Sequence, residues 1–284
     1  MNIYTYDLGR LLNEFVDEDV AFNFREFFRV NDNGTFVHDK DVSAFLNLIT
    51  KEDRESCYPF ANEEYRNIFR HTLWMLPGVK EARAMSAMLQ THSVFQHFKV
   101  VNVAGNGDED EESKDALVAV EEAIGKDPDA TRTITLSCGR LTTGVSVKAW
   151  TAVFMLSGSY NTAASSYMQT IFRVHTPAAI NGKVKEQCYV FDFAPDRTLK
   201  VIAETAKISS KTGKTSGNDR KIMGEFLNFC PIISIEGSKM NQFDVPRMLE
   251  QLKKVYVERV VRNGFDDRRD RKSTRLNSSH SSVS

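Results

Sequence analysis

The residues best suited to chemistry lie in one stretch of the sequence, residues 137–177. The run RLTTGVS directly follows the apolar run RTITLSC, and its Gly144 allows the backbone to approach a ligand closely. Further along, Gln169 and Arg173 stand four residues apart, a spacing that places two side chains on one face of a helix. Each feature is common by itself, but their order and spacing make this stretch the first candidate for a ligand site.

Short apolar runs alternate with helical stretches between residues 66 and 205. The runs HTLWML, KVVNVAG, RTITLSCG, TAVFMLSG and QCYVFDFA have the length of buried strands, and helical stretches such as VKEARAMSAMLQ separate them. This alternation predicts an α/β domain built from βαβ units around a parallel sheet. Ligands of such sheets bind beyond the carboxyl ends of the strands, so we expect the loops that follow the strands to carry the site.

The segments on either side of this domain are predicted to be helical. We interpret residues 1–65 as a helical leading segment with aromatic anchors and residues 206–265 as a helical extension. The extension contains VPRMLEQLKKVYVERVV, an amphipathic helix whose apolar face must dock on another surface. Residues 266–284 are Ser-rich and nearly without apolar side chains, which predicts a disordered tail. Because STRLNSSHSSVS also resembles a translated sequencing adapter, we expect this tail to be non-native and the natural protein to be longer.

Composition limits the class of protein. The 284 residues carry a net charge of -1, with 41% hydrophobic and 26% charged residues, which suffices for one or two cores. This balance provides no bulk attraction to nucleic acid or to an anionic membrane. No apolar run approaches the roughly 20 residues of a membrane helix, and MNIYTYDLGR lacks the pattern of a signal peptide. We therefore expect a cytoplasmic protein without a membrane partner.

Metal and disulfide chemistry are not indicated by the sequence. The four cysteines, Cys57, Cys138, Cys188 and Cys230, stand far apart and are expected to be reduced and mostly buried. The six histidines show no metal-ligand spacing, so no metal site is predicted. Trp74 and Trp150 fall within or beside apolar runs and are expected in the core.

Three segments, taken in order, carry a resemblance to a known family. HTLWMLPGVKEARAMSAML is similar to motif IV, RLTTGVSVKAWTAVFML to motif V and QTIFRVHT to motif VI of the second RecA-like lobe of superfamily 2 helicases and translocases. The likeness is greatest to the motors of restriction–modification systems, such as type I and type III restriction subunits, and it covers residues 66–205. The resemblance implies a RecA-like, P-loop-NTPase-type parallel sheet with helices on both faces, flanked by helical segments.

The resemblance also implies roles for particular residues. The motif V segment would lie at the cleft between two lobes and contact nucleotide or DNA through Arg140, Thr142, Thr143, Gly144 and Ser146. Gln169 and Arg173 would be the catalytic pair that faces ATP across the cleft, with Arg173 stabilising the charge that builds on the γ-phosphate.

The sequence departs from the family pattern at two positions. Thr176 stands where motif VI usually has a second arginine, so Arg140 and Arg197 are possible substitutes for the arginine finger. Ser146 stands where motif V usually has an acidic residue, which weakens any claim about ribose or metal contact.

Other motifs that suggest chemistry are given structural interpretations. TGKTSG lacks the leading glycine and the preceding strand of a P-loop, and GDEDEE is interpreted as a solvated charge run in a loop. Asp192 and Asp196 in FDFAPDRTLK suggest a nuclease pair, but the Glu-x-Lys partner is missing. We interpret this segment as the last strand of the lobe and its exit turn.

The sequence therefore predicts part of an ATP-dependent DNA helicase or translocase subunit of a restriction–modification system. The first lobe of the same polypeptide would bind most of the ATP and Mg²⁺, so the chain alone should not hydrolyse ATP. Double-stranded DNA and methyltransferase or specificity components are the other expected partners, and the chain alone should bind DNA weakly and with strong salt sensitivity. Two alternatives remain: a non-catalytic degenerate lobe that binds DNA or a partner, and a helicase of repair or replication.

Overall fold

A computed structural model describes residues 1–6, 23–53, 55–105, 109–138, 147–158, 162–205, 217–236, 239–252 and 254. Its strands are β1 (Asn2–Tyr6), β2 (His71–Met75), β3 (Lys99–Asn102), β4 (Thr133–Ser137), β5 (Ala152–Met155), β6 (Ala179–Ile180), β7 (Lys183–Val184), β8 (Tyr189–Asp192), β9 (Ile232–Glu236) and β10 (Lys239–Gln242). Eight of them form one sheet in the order β10-β9-β1-β8-β5-β2-β4-β3. All neighbours in it are parallel except β10 and β9, while β6 and β7 pair as a separate antiparallel hairpin.

Helices connect the parallel strands. They are α1 (Phe24–Phe27), α2 (Asp39–Thr50), α3 (Glu63–Ile68), α4 (Val79–Thr91), α5 (Glu109–Ile124), α6 (Ala164–Ile171), α7 (Pro195–Thr205) and α8 (Gly217–Phe229), and residues 245–252 are also helical. Asn23, Asn62 and Asp244 cap helix starts, because their side chains accept hydrogen bonds from the Glu26, Tyr65 and Arg247 amides.

Both faces of the sheet are covered by helices, which confirms the predicted fold class. From β1 the chain moves towards the β3 edge and then returns, and the helices of the two halves of the path cover opposite faces. One face buries α1, α2 and α4 against an aromatic core in which Trp74 stacks on Phe154 with ring centroids 4.9 Å apart. The other face buries α5 to α8 against an aliphatic core that includes Trp150. Trp74 and Trp150 are both fully buried, as the sequence predicted.

The sheet does not stop at the predicted boundaries of residues 66 and 205. Strand β1 lies between β8 and β9, and β9 and β10 complete one edge, so residues 1–65 and 206–265 are not purely helical. Strand β1 has only five residues, and its partners are far away in the sequence, with Ile3 paired to Val190 and to Ile232. A short isolated run of this kind carries no periodic signal, so its place in the sheet could not be derived locally.

Two further expectations can be compared with the structure. The acidic run GDEDEE was interpreted as a loop, which is wrong for its last four residues, because α5 begins at Glu109. In the predicted amphipathic helix, residues 245–252 are helical, and Met248, Leu249 and Leu252 are buried in the aliphatic core. The tail and the run TGKTSG up to Ser216 lie outside the described residues.

The structure also describes the four cysteines, which the sequence predicted to be reduced and mostly buried. All four cysteines are free; Cys188 and Cys230 are buried, while Cys57 and Cys138 are partly exposed. Burial raises the pKa of the Cys188 and Cys230 thiols, which keeps them protonated and unreactive. Within the part of the chain that the structure describes, no helix is long and apolar enough to cross a membrane.

A buried histidine at the start of β2 gives the fold a predictable pH dependence. His71 Nε2 donates to the carbonyl of Pro128 at 2.8 Å, so Nδ1 of the neutral ring accepts from the Thr133 hydroxyl at 2.9 Å. Burial lowers the pKa of His71, and burial also lowers the pKa of His92. The unfolded chain therefore binds protons more readily than the folded chain just below about pH 6.5, the ordinary value for histidine.

We expect the free energy of unfolding to decrease as the pH falls below about 6.5 and to level off once both histidines are protonated in the folded state. In His71→Gln the amide can still donate to Pro128, so this variant should show a shallower pH dependence with nearly normal stability at pH 8. Denaturant unfolding of both proteins between pH 5 and 8 measures this. A variant profile as steep as that of the wild type would show that His71 is not the group responsible.

Candidate functional site

The carboxyl edge of the sheet is where the sequence placed the site. Strand β4 ends at Ser137 and β5 at Met155, and both strands are completely buried along their length. Between β5 and β2 the connections diverge, since α4 leads from β2 towards the β3 edge and α6 leads from β5 towards the β10 edge. A divergence of this kind opens a crevice at the carboxyl ends of the strands, which is the usual ligand position in open α/β sheets.

The motif V residues cannot be placed at this edge or elsewhere. Residues 139–146 lie outside the described part of the chain, and they include all five residues to which nucleotide or DNA contacts were assigned. These are Arg140, Thr142, Thr143, Gly144 and Ser146. Their roles stay predictions.

The two motif VI residues differ in exposure, although the sequence placed both on one face of a helix. Gln169 is exposed on α6, whereas Arg173 is only 7% exposed. The reason lies in the backbone, because α6 ends at Ile171 and Phe172–His175 continue as a 3-10 helix. Each 3-10 residue turns about 120° instead of about 100°, so the 3-10 turn widens the angle between the two side chains around the helix axis.

Arg173 sits on the side of the sheet where strands begin. The next residue, Val174, offers its carbonyl to the Lys185 ammonium group at 3.1 Å. The same Nζ donates at 3.1 Å to the carbonyls of Lys148 and Trp150, which directly precede β5. Lys185 thus ties the turn that contains Arg173 to the amino end of β5. Burial lowers the pKa of the Arg173 guanidinium, although an arginine stays protonated at neutral pH.

A buried polar network lies at the carboxyl end of β8. From its sequence, this segment was interpreted as an exit turn. Asp192 Oδ1 accepts from Arg197 Nη2 at 2.6 Å and from the Ala194 amide at 2.9 Å. Its Oδ2 accepts from the Tyr167 hydroxyl at 2.8 Å and from the Thr198 hydroxyl at 2.7 Å. All four acidic, basic and hydroxyl side chains are buried, and the carboxylate therefore has four donors in place of water.

The arginine of this network also holds the turn after β5. Arg197 Nη1 donates to the Ser157 carbonyl, Nη2 lies 3.4 Å from the Met155 carbonyl, and the guanidinium stacks over the Tyr167 ring. Gly158 has a φ of +91°, and a Cβ at this position would lie 2.7 Å from Arg197 Nη1. The turn therefore requires glycine both for its backbone conformation and for the close approach of the guanidinium.

This arrangement excludes one of the proposed arginine fingers. Arg197 is 1% exposed and paired to Asp192, so it cannot reach a nucleotide on another lobe, and its assignment as a substitute finger is wrong. The pairing of an aspartate at a strand end with an arginine five residues later was visible in FDFAPDRT, but its burial was not. Across the described ranges, no group of three His, Cys, Asp or Glu side chains could hold a metal ion.

Fold and site together define an α/β protein with a mostly parallel sheet and a buried ion pair at the carboxyl edge. No protein-family model matches the chain. The chain is 29% identical over 279 residues to a protein of Mycoplasma pneumoniae (strain ATCC 29342 / M129 / Subtype 1). That protein bears the name "Putative type II restriction enzyme and methyltransferase RM.MpnORF110P C-terminus". The match covers 88% of this chain and 37% of the relative, so the chain spans well under half of the relative's length.

A solved structure, "ATP-dependent Type ISP restriction-modification enzyme LlaBIII bound to DNA", is similar with a TM-score of 0.42 and 14% identity. The match covers 92% of this chain and 17% of that one. The sequence relative supports a relation of this chain to restriction–modification proteins.

Proposed function

We propose that the chain is part of a restriction–modification enzyme and forms the second lobe of its ATP-dependent DNA motor. The observation that carries the proposal is the similarity of 88% of the chain to a protein named for restriction and methylation. The finer assignment to a motor lobe is supported by the order of the motif-like segments on one parallel sheet. The motif IV-like segment forms β2 and α4, and the motif VI-like segment spans α6 and the turn that follows it.

In this proposal the chain's own residues complete a nucleotide site held mainly by another lobe. The exposed Gln169 amide can donate to or accept from a nucleotide group across a cleft. The Arg173 guanidinium would have to leave its buried place at the amino end of β5 to reach the γ-phosphate. The first lobe would hold most of the ATP and Mg²⁺, as the family resemblance implies. ATP would supply the free energy for movement along double-stranded DNA, and methyltransferase or specificity components would act in the same complex.

A second candidate function is a degenerate lobe that holds DNA or a partner without turnover. The observation in its favour is the burial of Arg173, since a side chain that is 7% exposed must move before it can contact a nucleotide. Thr176 in place of the second motif VI arginine points in the same direction. Its hydroxyl donates to the Arg173 carbonyl at 3.2 Å, which closes the turn locally.

A substitution of Gln169 tests the two candidate functions with little disturbance of the fold. Because the side chain is exposed, Gln169→Ala should change the free energy of unfolding by less than about 0.5 kcal/mol. Loss of a hydrogen bond to a charged phosphate group should lower DNA-stimulated ATP hydrolysis of the intact enzyme by about 10- to 100-fold. Ser165→Ala, another exposed change on α6, is the matched control and should leave hydrolysis normal. Equal, near-wild-type rates in both variants would remove Gln169 from the nucleotide site, whereas a wild-type enzyme without hydrolysis would favour the degenerate lobe.

A further inference from the structure

Asp192 joins four segments of the fold at one buried point. It is the last residue of β8, and its carboxylate receives Tyr167 from α6, Thr198 and Arg197 from α7, and the backbone that leads into α7. Arg197, which is paired to this carboxylate, also contacts the carbonyls of Met155 and Ser157 at the end of β5. The carboxylate is therefore the shared partner of the turn that precedes α6, of α6 itself and of α7.

The network is better suited to positioning than to stabilising. A buried ion pair loses the hydration of both charges, and well-packed apolar groups of the same size often stabilise a protein as well or better. Apolar groups cannot fix directions, whereas Tyr167, Arg197 and Thr198 each place a donor 2.6–2.8 Å from the Asp192 carboxylate. Burial and the neighbouring carboxylate raise the pKa of Tyr167 well above its ordinary value, so the hydroxyl keeps its proton and donates throughout the working pH range.

Tyr167 is the link between this network and the candidate site. It lies on α6, two residues before Gln169 and six before Arg173, and its ring packs in the aliphatic core beside Ile171. Thr198 donates to the same Oδ2 atom from α7, a helix to which the motif match assigns no site residue. Of the two hydroxyls that bind this oxygen, only that of Tyr167 therefore fixes the helix that presents Gln169.

We propose that Asp192 is a positioning residue, which holds α6 through the Tyr167 hydroxyl and so sets the place of Gln169 and of the Arg173 turn. The catalytic part of this inference rests on the proposed function, whereas the anchoring of α6 does not. Asp192 does not itself touch the nucleotide, since its side chain is fully buried.

Two isosteric substitutions make a matched pair. Tyr167→Phe and Thr198→Val each remove one hydroxyl from the same carboxylate oxygen, so both should lower stability by similar amounts. Only Tyr167→Phe cuts the connection to α6. In hydrogen-exchange mass spectrometry of the intact enzyme, Tyr167→Phe should speed exchange of the α6 amides about tenfold, and Thr198→Val should leave them unchanged.

The kinetic readout uses DNA-stimulated ATP hydrolysis at a temperature where both variants are fully folded. We expect Tyr167→Phe to lower kcat about tenfold with KM for ATP within about twofold, and Thr198→Val to keep both constants near wild-type values. Equal losses of kcat in the two variants, or unchanged α6 exchange in Tyr167→Phe, would overturn the inference. If the wild-type enzyme hydrolyses no ATP, the proposed function fails, and hydrogen exchange alone then decides whether Asp192 anchors α6.

Discussion

Replacing Arg197 by methionine should lower the free energy of unfolding by about 3–5 kcal/mol, because it leaves the Asp192 carboxylate buried without its counter-charge. The substitution keeps the length of the side chain and much of its contact with Phe24 and Tyr167. The loss is therefore electrostatic in origin rather than a cavity effect. Urea unfolding monitored by circular dichroism gives the value directly.

A control on the same helix separates this effect from a general loss of charge. Lys200 pairs with Glu204 at 3.4 Å near the surface of α7, and Lys200→Met should cost less than about 1 kcal/mol. Adding Asp192→Asn to Arg197→Met removes the uncompensated charge and should recover part of the loss. A loss below 1 kcal/mol for Arg197→Met would show that the ion pair is not buried as the structure has it.

Replacing Arg173 by lysine in the intact enzyme should lower ATP hydrolysis by about 10³- to 10⁵-fold, or about 4–7 kcal/mol in the barrier. Lysine keeps the charge and most of the stem but lacks the planar fork that binds phosphate oxygens at two points. Arg29→Lys is the control, because this arginine lies on the exposed surface after α1, far along the chain from the motif segments.

The stability of Arg173 variants must be measured as well, because this side chain is buried. An exposed arginine would cost less than about 0.5 kcal/mol on replacement by alanine. Arg173 is buried, so Arg173→Ala should instead lose packing and destabilise by about 1–3 kcal/mol. Near-normal hydrolysis in Arg173→Lys would remove Arg173 from the catalytic residues and leave Arg140 as the candidate finger.

The sequence predicted those parts of the fold whose signal is local. Strands β2, β4, β5 and β8 are apolar and β-branched along their length, and every one lies inside the buried sheet. Strand β1 was missed because five residues with tyrosine and threonine gain their place only by pairing with β8 and β9, both distant in sequence.

The candidate site shows the same division between local and distant information. The spacing of Gln169 and Arg173 assumed one uninterrupted helix, and the change to a 3-10 helix at Phe172 depends on packing that no four-residue pattern encodes. The Asp192–Arg197 pair was visible in the sequence, but its role depends on Tyr167 and Ser157, which come from another helix and another strand end. Tertiary contacts of this kind override local spacing.

The most direct test of a motor lobe is ATP hydrolysis by the intact restriction–modification polypeptide, measured with and without double-stranded DNA. We predict hydrolysis that rises at least tenfold on addition of DNA, falls with increasing salt as phosphate contacts weaken, and is lost in Arg173→Lys. Binding of DNA with no hydrolysis in the wild-type enzyme at any salt concentration would contradict the motor assignment and identify the lobe as a binding module.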